Sequence, residues 1–246
     1  MIKKQLKVIL VRVNISNKLL FAEVIQRIFP GFDLPEINGF TIDSRSVKQG
    51  DIFLALKGDN FDGHQFISQA EAYGASLAFV ENPIKTSLLT KQVKSTKMLL
   101  YDLTRYYRNQ LPYPFIGITG SNGKTTTKNL LSHILSSEMN VMQTAGNYNS
   151  TTGAPLSLLA FESNADIGIV EIGANQPGEI ETICSVVQPT MGLITNIGNA
   201  HLGNFGSIDE IAKTKSALFS YLPSYGTAFV NLDDPFISKM EVSCTQ

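Results

Sequence analysis

The sequence predicts an α/β protein made of a small mixed α/β domain followed by a domain built on a parallel sheet. Apolar strand patterns alternate with helical patterns along residues 115–231. Apolar residues make up 43% of the 246 residues and charged residues 17%, a balance typical of a packed globular core. The proline-containing stretch NQLPYPF at 109–115 separates the two parts.

The first part carries short patterns of both kinds. DIFLALKG at 51–58 and SLAFVE at 76–81 indicate strands, and HQFISQAEAYGA at 64–75 spaces its apolar residues as a helix does. We therefore predict an N-terminal domain over residues 1–111 and a second domain over residues 112–246.

The second part alternates more regularly. Its predicted strands are 115–119, 141–144, 167–172, 191–195 and 227–231. Its predicted helices are 124–137, 154–161, 178–187 and 208–221. Such βαβ units form a parallel sheet with covered faces, and ligands collect at the carboxyl ends of its strands. Functional side chains are therefore expected just after each strand.

Charge and cysteine usage exclude several classes of protein. With 20 basic and 21 acidic side chains, no strong field attracts nucleic acid. Cys184 and Cys244 have neither metal-binding spacing nor a disulfide framework. The basic start is followed by an apolar run that Arg12 interrupts, and no segment approaches about 20 apolar residues. These features predict a cytoplasmic protein without membrane insertion.

The stretch GSNGKTT at 120–126 predicts a phosphate-binding loop. The usual formula GxxxxGK[ST] would place its first glycine where Ile118 stands, so only the second half matches. An apolar strand still delivers glycines, a lysine and hydroxyls to a helix start, which favours an anion. The spacing GxGxxG of a dinucleotide site is absent, and a simple helix-starting turn is the remaining alternative. The predicted ATP-binding residues are Gly120, Ser121, Asn122, Gly123, Lys124, Thr125 and Thr126.

Four more side chains lie at the end of a strand, just after a strand or on the next helix. Glu171 ends the strand DIGIVE, and a carboxylate there can hold Mg²⁺ directly or through water. His201 follows the next strand; alone it would more often be structural, but beside Thr125 and Glu171 it becomes a candidate ligand. Lys213 and Lys215 are two residues apart on a helix, so they cannot share a face, and one can face the site while the other faces solvent.

Together these motifs resemble the ATP-dependent Mur ligases of peptidoglycan synthesis over residues 40–235. GITGSNGKTTTK resembles the ATP loop of the family. VEIGANQPGEIETI and ITNIGNAHLGNFGSIDEIAKTKSALF resemble the member that adds D-alanyl-D-alanine to UDP-N-acetylmuramoyl-tripeptide. TIDSRSVKQGDIFLALKGDNFDGHQFISQA resembles the UDP-binding domain of that member and of the ligase that adds the third residue.

The resemblance implies residue roles. Lys124 and Thr125 would bind ATP phosphates and Mg²⁺, and Glu171 and His201 match metal-binding positions. AKTKSALF matches the lysine that the family carries as a carbamate, and its register favours Lys215 over Lys213. Residues implied at the UDP end of the substrate are Ser44, Arg45, Lys57, Asp62, Gly63 and His64. Residues implied near the muramoyl-peptide are Asn147, Asn149, Ser150 and Thr151.

The implied activity is amide ligation through an acyl phosphate, with ATP, Mg²⁺, UDP-N-acetylmuramoyl-tripeptide and D-alanyl-D-alanine as cofactors and substrates. The resemblance also implies that the central domain is incomplete and that a C-terminal ligase domain is absent from this sequence. Two alternatives stay open: a truncated ATP- and UDP-sugar-binding protein without ligase activity, and a sister ligase that adds a different residue. A folyl- or cyanophycin-type ligase is disfavoured by the DSR and FDGH segments.

Overall fold

The computed structural model describes residues 12–58, 61–146, 148–198 and 202–244. The predicted α/β class is confirmed, since one mixed sheet is followed by a fully parallel sheet. Across these described ranges, no helix is both long and apolar enough to cross a membrane.

The first sheet has the strand order β1-β2-β3-β6-β7, with β1 antiparallel to β2 and the other neighbours parallel. Phe53, Ala78 and Val80 face one side of the sheet and pack against α2, while α1 and α3 pack on the core of the other side. The elements of this part are β1 (Arg12–Asn14), α1 (Lys18–Ile28), β2 (Gly39–Thr41), β3 (Asp51–Leu54), β4 (Lys57–Gly58), β5 (Phe61–Asp62), α2 (Ile67–Ala72), β6 (Leu77–Val80), β7 (Thr90–Gln92) and α3 (Thr96–Arg108).

The strand predicted over 51–58 is divided, because β3 ends at Leu54 and Lys57–Gly58 form β4, which pairs with β5 in a separate sheet. The chain leaves the sheet after Leu54, and the carbonyl of Leu56 accepts a hydrogen bond from the N–H of Gly63 at 2.8 Å. A Cβ at Gly63 would lie 2.8 Å from that same oxygen, so only glycine permits the approach. The predicted helix over 64–75 is likewise shorter, because a 3₁₀ turn at Gly63–Phe66 precedes α2.

The second sheet has the strand order β12-β11-β8-β10-β9, so that β8 lies between β10 and β11. The predicted strands and helices of this part occur within three residues of their predicted ends, and α7 was not predicted. Its elements are β8 (Phe115–Thr119), α4 (Lys124–Leu135), β9 (Val141–Gln143), α5 (Gly153–Leu158), β10 (Ile167–Glu171), α6 (Glu179–Val187), β11 (Met191–Ile194), α7 (Leu202–Phe205), α8 (Ile208–Tyr221) and β12 (Thr227–Phe229).

Helix α3, which was not predicted, joins the two parts. Ser95 caps its start, and it packs against α1 of the first part and against α5 and α6 of the second. Its polar side chains bond to backbone carbonyls of the second part: Thr104 Oγ1 to Pro155 at 3.2 Å, Tyr107 Oη to Phe161 at 2.9 Å and Arg108 Nε to Val187 at 2.8 Å. One apolar core therefore runs through both parts. The domain boundary at 111/112 stays a prediction.

Candidate functional site

The phosphate loop connects β8 to α4 at the carboxyl edge of the second sheet. Gly120 has φ of 143°, and a Cβ there would lie 1.9 Å from Thr195 Oγ1. Gly123 has φ of 79° and occupies the N-cap position of α4. Both conformations require glycine, so Gly120 takes over the turn that the usual formula assigns to an earlier glycine.

The loop is fastened to the segment that follows β11. The backbone N–H groups of Ser121 and Asn122 donate to the backbone oxygen and to Oδ1 of Asn196 at 2.9 and 3.1 Å. Ser121 Oγ accepts from the N–H of Gly198 at 2.8 Å and donates to its carbonyl at 3.0 Å. The N–H groups of the first turn of α4 lie at the helix start instead, where such groups favour an anion.

Replacing Gly120 by alanine is expected to lower the free energy of unfolding by about 2 kcal/mol, because the new methyl group would overlap the Thr195 side chain at a backbone angle that alanine avoids. Denaturant unfolding measures the change. Gly203→Ala is the matched control, since a Cβ there meets nothing within 4 Å. Equal stability of the two variants would contradict the tight docking of the loop.

The side chain of Lys124 folds back over the phosphate loop that precedes it. Its Nζ donates to the carbonyl oxygens of Gly120 at 2.7 Å and of Ser121 at 3.4 Å. Burial lowers the pKa of Lys124, and the charge of Glu171 partly opposes that shift. The ammonium therefore sits beside the N–H groups of the helix start, where a phosphate would be bound.

Glu171 and Thr125 come together as predicted. Thr125 Oγ1 donates to Glu171 Oε2 at 2.9 Å, and Asn149 Nδ2 donates to Glu171 Oε1 at 2.7 Å. The backbone N–H of Glu171 donates to Thr144 Oγ1 at 3.0 Å. The carboxylate is only 1% exposed, and both of its oxygens are oriented by neighbours. This set of oxygen donors suits a hard divalent cation such as Mg²⁺.

Lys128 belongs to this cluster, although it was not predicted. Its Nζ lies 3.5 Å from Glu171 Oε2 and donates to the carbonyls of Thr144 and Gly146, each at 2.8 Å. The sequence does contain a pattern that indicates this position. Lys128 follows Lys124 by four residues on one helix, so both side chains lie on the same face.

Lys215 and Lys213 differ as helix geometry predicts. Lys215 is buried, at 5% exposed. The side chain of Lys213 is 79% exposed and pairs with Glu210 at 3.8 Å. Burial, reinforced by the charge of Lys124, lowers the pKa of Lys215 to about 8. Lys215 is therefore the buried lysine of the pair, and it lies close enough to Lys124 for the two charges to interact.

The loop before α5 begins beside Glu171. Ser150 Oγ accepts from the N–H of Gly153 at 3.0 Å and so fixes the turn that starts α5, in which Thr151 is half-buried. His201 and Asn147 lie outside the described residues. Within the described ranges, no group of three His, Cys, Asp or Glu side chains forms a ready-made metal cage.

A cavity of about 360 Å³ in the first part contains two of the residues predicted to bind UDP. Ser44 Oγ donates to Gln69 Oε1 at 2.6 Å, and Arg45, whose side chain is 77% exposed, pairs with Asp43. The rings of Phe61 and Phe66 stack in the wall of the cavity, with their centroids 5.2 Å apart. The lining residues are Ile42, Asp43, Ser44, Arg45, Phe61, Phe66 and Gln69.

The other predicted UDP residues, which do not line this cavity, lie on β4 and β5 and in the turn between its lining residues Phe61 and Phe66. The Nδ1 of His64 lies 2.6 Å from Asp62 Oδ1, and its Nε2 accepts from the N–H of Glu81 at 2.7 Å. Both ring nitrogens are thus engaged within the protein. The bonds from His64 lower the pKa of Asp62. Lys57 is exposed on β4, and Gly63 allows the close backbone contact described above.

A larger cleft of about 680 Å³ lies between the two parts. Arg12, Arg45 and Lys48 line it from the first part, and Gln143 and Tyr148 line it from the second. Gln143 Oε1 and Tyr148 Oη are buried without a hydrogen-bond partner within the described residues. These two residues were missed from sequence, because the cleft exists only once α3 has joined the parts.

A parallel sheet whose carboxyl edge carries a phosphate loop, a buried acid and buried lysines defines a nucleotide-binding domain of the phosphate-loop class. The Mur ligase middle domain matches residues 118–245, and the domain described as Mur ligase family, catalytic domain, matches residues 36–106. The chain belongs to the Mur ligase family. The resemblance seen in the motifs is thereby confirmed.

Two relatives found by sequence carry the same name. The UDP-N-acetylmuramoyl-tripeptide--D-alanyl-D-alanine ligase of Escherichia coli (strain K12) is 39% identical over 198 residues, which is 80% of this chain and 44% of that protein. The ligase of the same name from Synechocystis sp. is 39% identical over 204 residues, or 82% of this chain and 45% of that protein. The chain thus spans about half the length of the curated relatives it matches.

Solved structures agree with the sequence comparison. A crystal structure of MurF from Acinetobacter baumannii superposes with a TM-score of 0.82 and 37% identity, covering 89% of this chain and 50% of that one. The MurF ligase from Thermotoga maritima, solved in complex with ADP, superposes with a TM-score of 0.74 and 35% identity, covering 81% of this chain and 47% of that one.

Proposed function

We propose that this protein is an ATP-dependent ligase that joins D-alanyl-D-alanine to UDP-N-acetylmuramoyl-tripeptide. One observation carries the proposal: Glu171 bonds to Thr125 of the phosphate loop on one side and to Asn149 of the loop before α5 on the other. That contact joins the phosphate loop to the segment whose Tyr148 lines the cleft between the two parts. The shared name of the relatives supports this substrate pair.

The chemistry needs two anions to be brought together. A carboxylate oxygen of the tripeptide attacks the γ-phosphorus of ATP, ADP leaves, and an acyl phosphate forms. The amine of D-alanyl-D-alanine then attacks the acyl carbon, phosphate leaves, and the amine loses its proton. Lys124 and the first-turn N–H groups of α4 hold the phosphates and offset the repulsion, and no protein nucleophile is required.

Thr125 and Glu171 fit Mg²⁺, because they present oxygen ligands that already share a hydrogen bond. Mg²⁺ is usually held by one or two carboxylates together with substrate phosphates, so a complete protein cage is not needed. When bound, the ion supplies neutralising charge for the transferred phosphoryl group. We assign His201 and Lys215, as its carbamate, to the same metal environment. The lowered pKa of Lys215 supports the carbamate, since only the neutral amine reacts with CO₂.

The two cavities fit the two ends of the nucleotide substrate. The cavity beside Ser44 and Arg45 offers a polar and aromatic wall for the UDP end. The larger cleft offers Lys48 and the exposed side chain of Arg45 to anionic groups, whereas Arg12 in the same wall is already paired with Asp51. Lys57, Asp62, Gly63 and His64 support the UDP wall. The muramoyl-peptide end is assigned to Asn147, Asn149, Ser150 and Thr151.

A ligation assay tests the function. The protein is incubated with ATP, Mg²⁺, UDP-N-acetylmuramoyl-tripeptide and D-alanyl-D-alanine, and phosphate release and product mass are followed together. We expect one phosphate released per pentapeptide product, and neither without the dipeptide. Product formed with another amino acid instead would identify a sister ligase. Binding of ADP and of the UDP substrate without phosphate release would identify a binding protein that lacks ligase activity.

A further inference from the structure

Lys128 is one of the most deeply buried charged residues of the described chain, at 1% exposed. Burying an ammonium is costly unless each of its donors finds a partner. Two of its three donors go to the carbonyls of Thr144 and Gly146, and the third faces Glu171 Oε2 at 3.5 Å. The side chain is therefore fully used, although it touches neither cavity.

The partners of Lys128 come from different functional elements. Lys128 itself is carried by α4, the helix whose first turn forms the anion-binding end of the phosphate loop. Thr144 and Gly146 begin the segment between β9 and α5, which contains the residues assigned to the muramoyl-peptide. Glu171 ends β10 and is the proposed metal ligand. One ammonium thus connects the nucleotide helix, the substrate segment and the acid.

The orientation of Glu171 depends on this connection. Oε1 is held by Asn149, and Oε2 is held by Thr125 and Lys128. Among the described residues, the ion pair of the Glu171 carboxylate is made with the ammonium of Lys128. Removing the ammonium would leave a buried carboxylate without its countercharge and would leave two carbonyls without their donor.

We propose that Lys128 is a positioning residue that couples binding of the metal–nucleotide complex to the backbone at Thr144 and Gly146. It acts through Glu171 and through the backbone of the substrate segment, without touching the substrate. The inference rests on the proposed function in one respect, namely that the segment between β9 and α5 binds the muramoyl-peptide. The coupling itself is measurable without any ligation.

The first experiment compares Lys128→Met with the unchanged protein. Methionine keeps an apolar stem and removes the ammonium, and Lys213→Met is the matched control at an exposed position. The Mg²⁺ concentration needed for half-maximal ADP binding is expected to rise about 10-fold or more in Lys128→Met, as is typical when the partner of a metal ligand is lost. It should not change in Lys213→Met. A folded Lys128→Met protein with an unchanged Mg²⁺ requirement would overturn the proposal.

The second experiment begins with the unchanged protein, in which no folding defect can obscure the result, and is then repeated on Lys128→Met. Hydrogen exchange of residues 144–152 is measured without ligand, with ADP and EDTA, and with ADP and Mg²⁺. Exchange should slow most with ADP and Mg²⁺, and Lys128→Met should lose that difference. Equal exchange in all three states would overturn the coupling. If the coupling is seen but no ligation occurs, the proposed function fails while the role of Lys128 stands.

Discussion

Lys124→Ala is expected to abolish ATP-dependent ligation while leaving binding of the UDP substrate largely intact. The ammonium lies 2.7 Å from the carbonyl of Gly120, beside the helix start that would hold the phosphates. Without the ammonium, less positive charge offsets the repulsion between the carboxylate of the substrate and the γ-phosphate. Loss of one such preorganised donor lowers kcat by about 100-fold or more.

Phosphate release and calorimetric binding of the UDP substrate measure the two halves of this expectation. Lys213→Ala is the control, because Lys213 is exposed on α8 and its charge faces solvent. Turnover close to that of the unchanged protein would remove Lys124 from the site. Loss of UDP-substrate binding in Lys124→Ala would instead show that the variant damages more than the phosphate loop.

Lys215→Ala is expected to lose ligation activity that short carboxylates, such as formate or acetate, partly restore. A carbamate at Lys215 would place a carboxylate-like group near the proposed metal, and an added carboxylate can occupy the space left by alanine. The pKa of Lys215, lowered to about 8 by burial and by the charge of Lys124, makes the neutral amine increasingly available as the pH rises toward and past that value.

The matched variant is again Lys213→Ala, assayed with and without the same carboxylates. It should keep its activity and show no rescue. If Lys213→Ala were inactive and rescued while Lys215→Ala was not, the assignment of the two lysines would be reversed. If neither variant lost activity, the carbamate would have no part in the reaction.

The fold of the second part was predictable because its strands are short apolar runs closed by turn residues. Ile116 and Ile118 pack toward α4 on one side of the sheet, as the alternation of side chains in β8 requires. Helix α3 was not predictable in the same way. Its polar side chains are buried, and their acceptors lie on carbonyls 50 to 80 residues further along the chain. A local sequence pattern cannot predict hydrogen-bond acceptors that lie so far along the chain.

The candidate site likewise contains some contacts that the sequence predicts and others that it does not. Thr125 and Glu171 were expected to meet because each follows a strand, and β8 and β10 are neighbours. The docking of Ser121 and Asn122 onto Asn196 was not visible, since it depends on how the segment after β11 turns back. His64 was predicted as a pocket residue, which stays a prediction; the contacts of its ring nitrogens with Asp62 and with the N–H of Glu81 were not visible in the sequence.

The bonds that α3 makes across the junction have a consequence for dissecting the protein. A fragment ending at Leu111 would keep Thr104, Tyr107 and Arg108 but would lose the carbonyls that satisfy them. The complementary fragment would expose the apolar surfaces of α5 and α6 that α3 now covers. Buried hydrogen bonds and apolar contacts therefore cross the proline-marked break in the sequence. The two parts should unfold in a single cooperative transition.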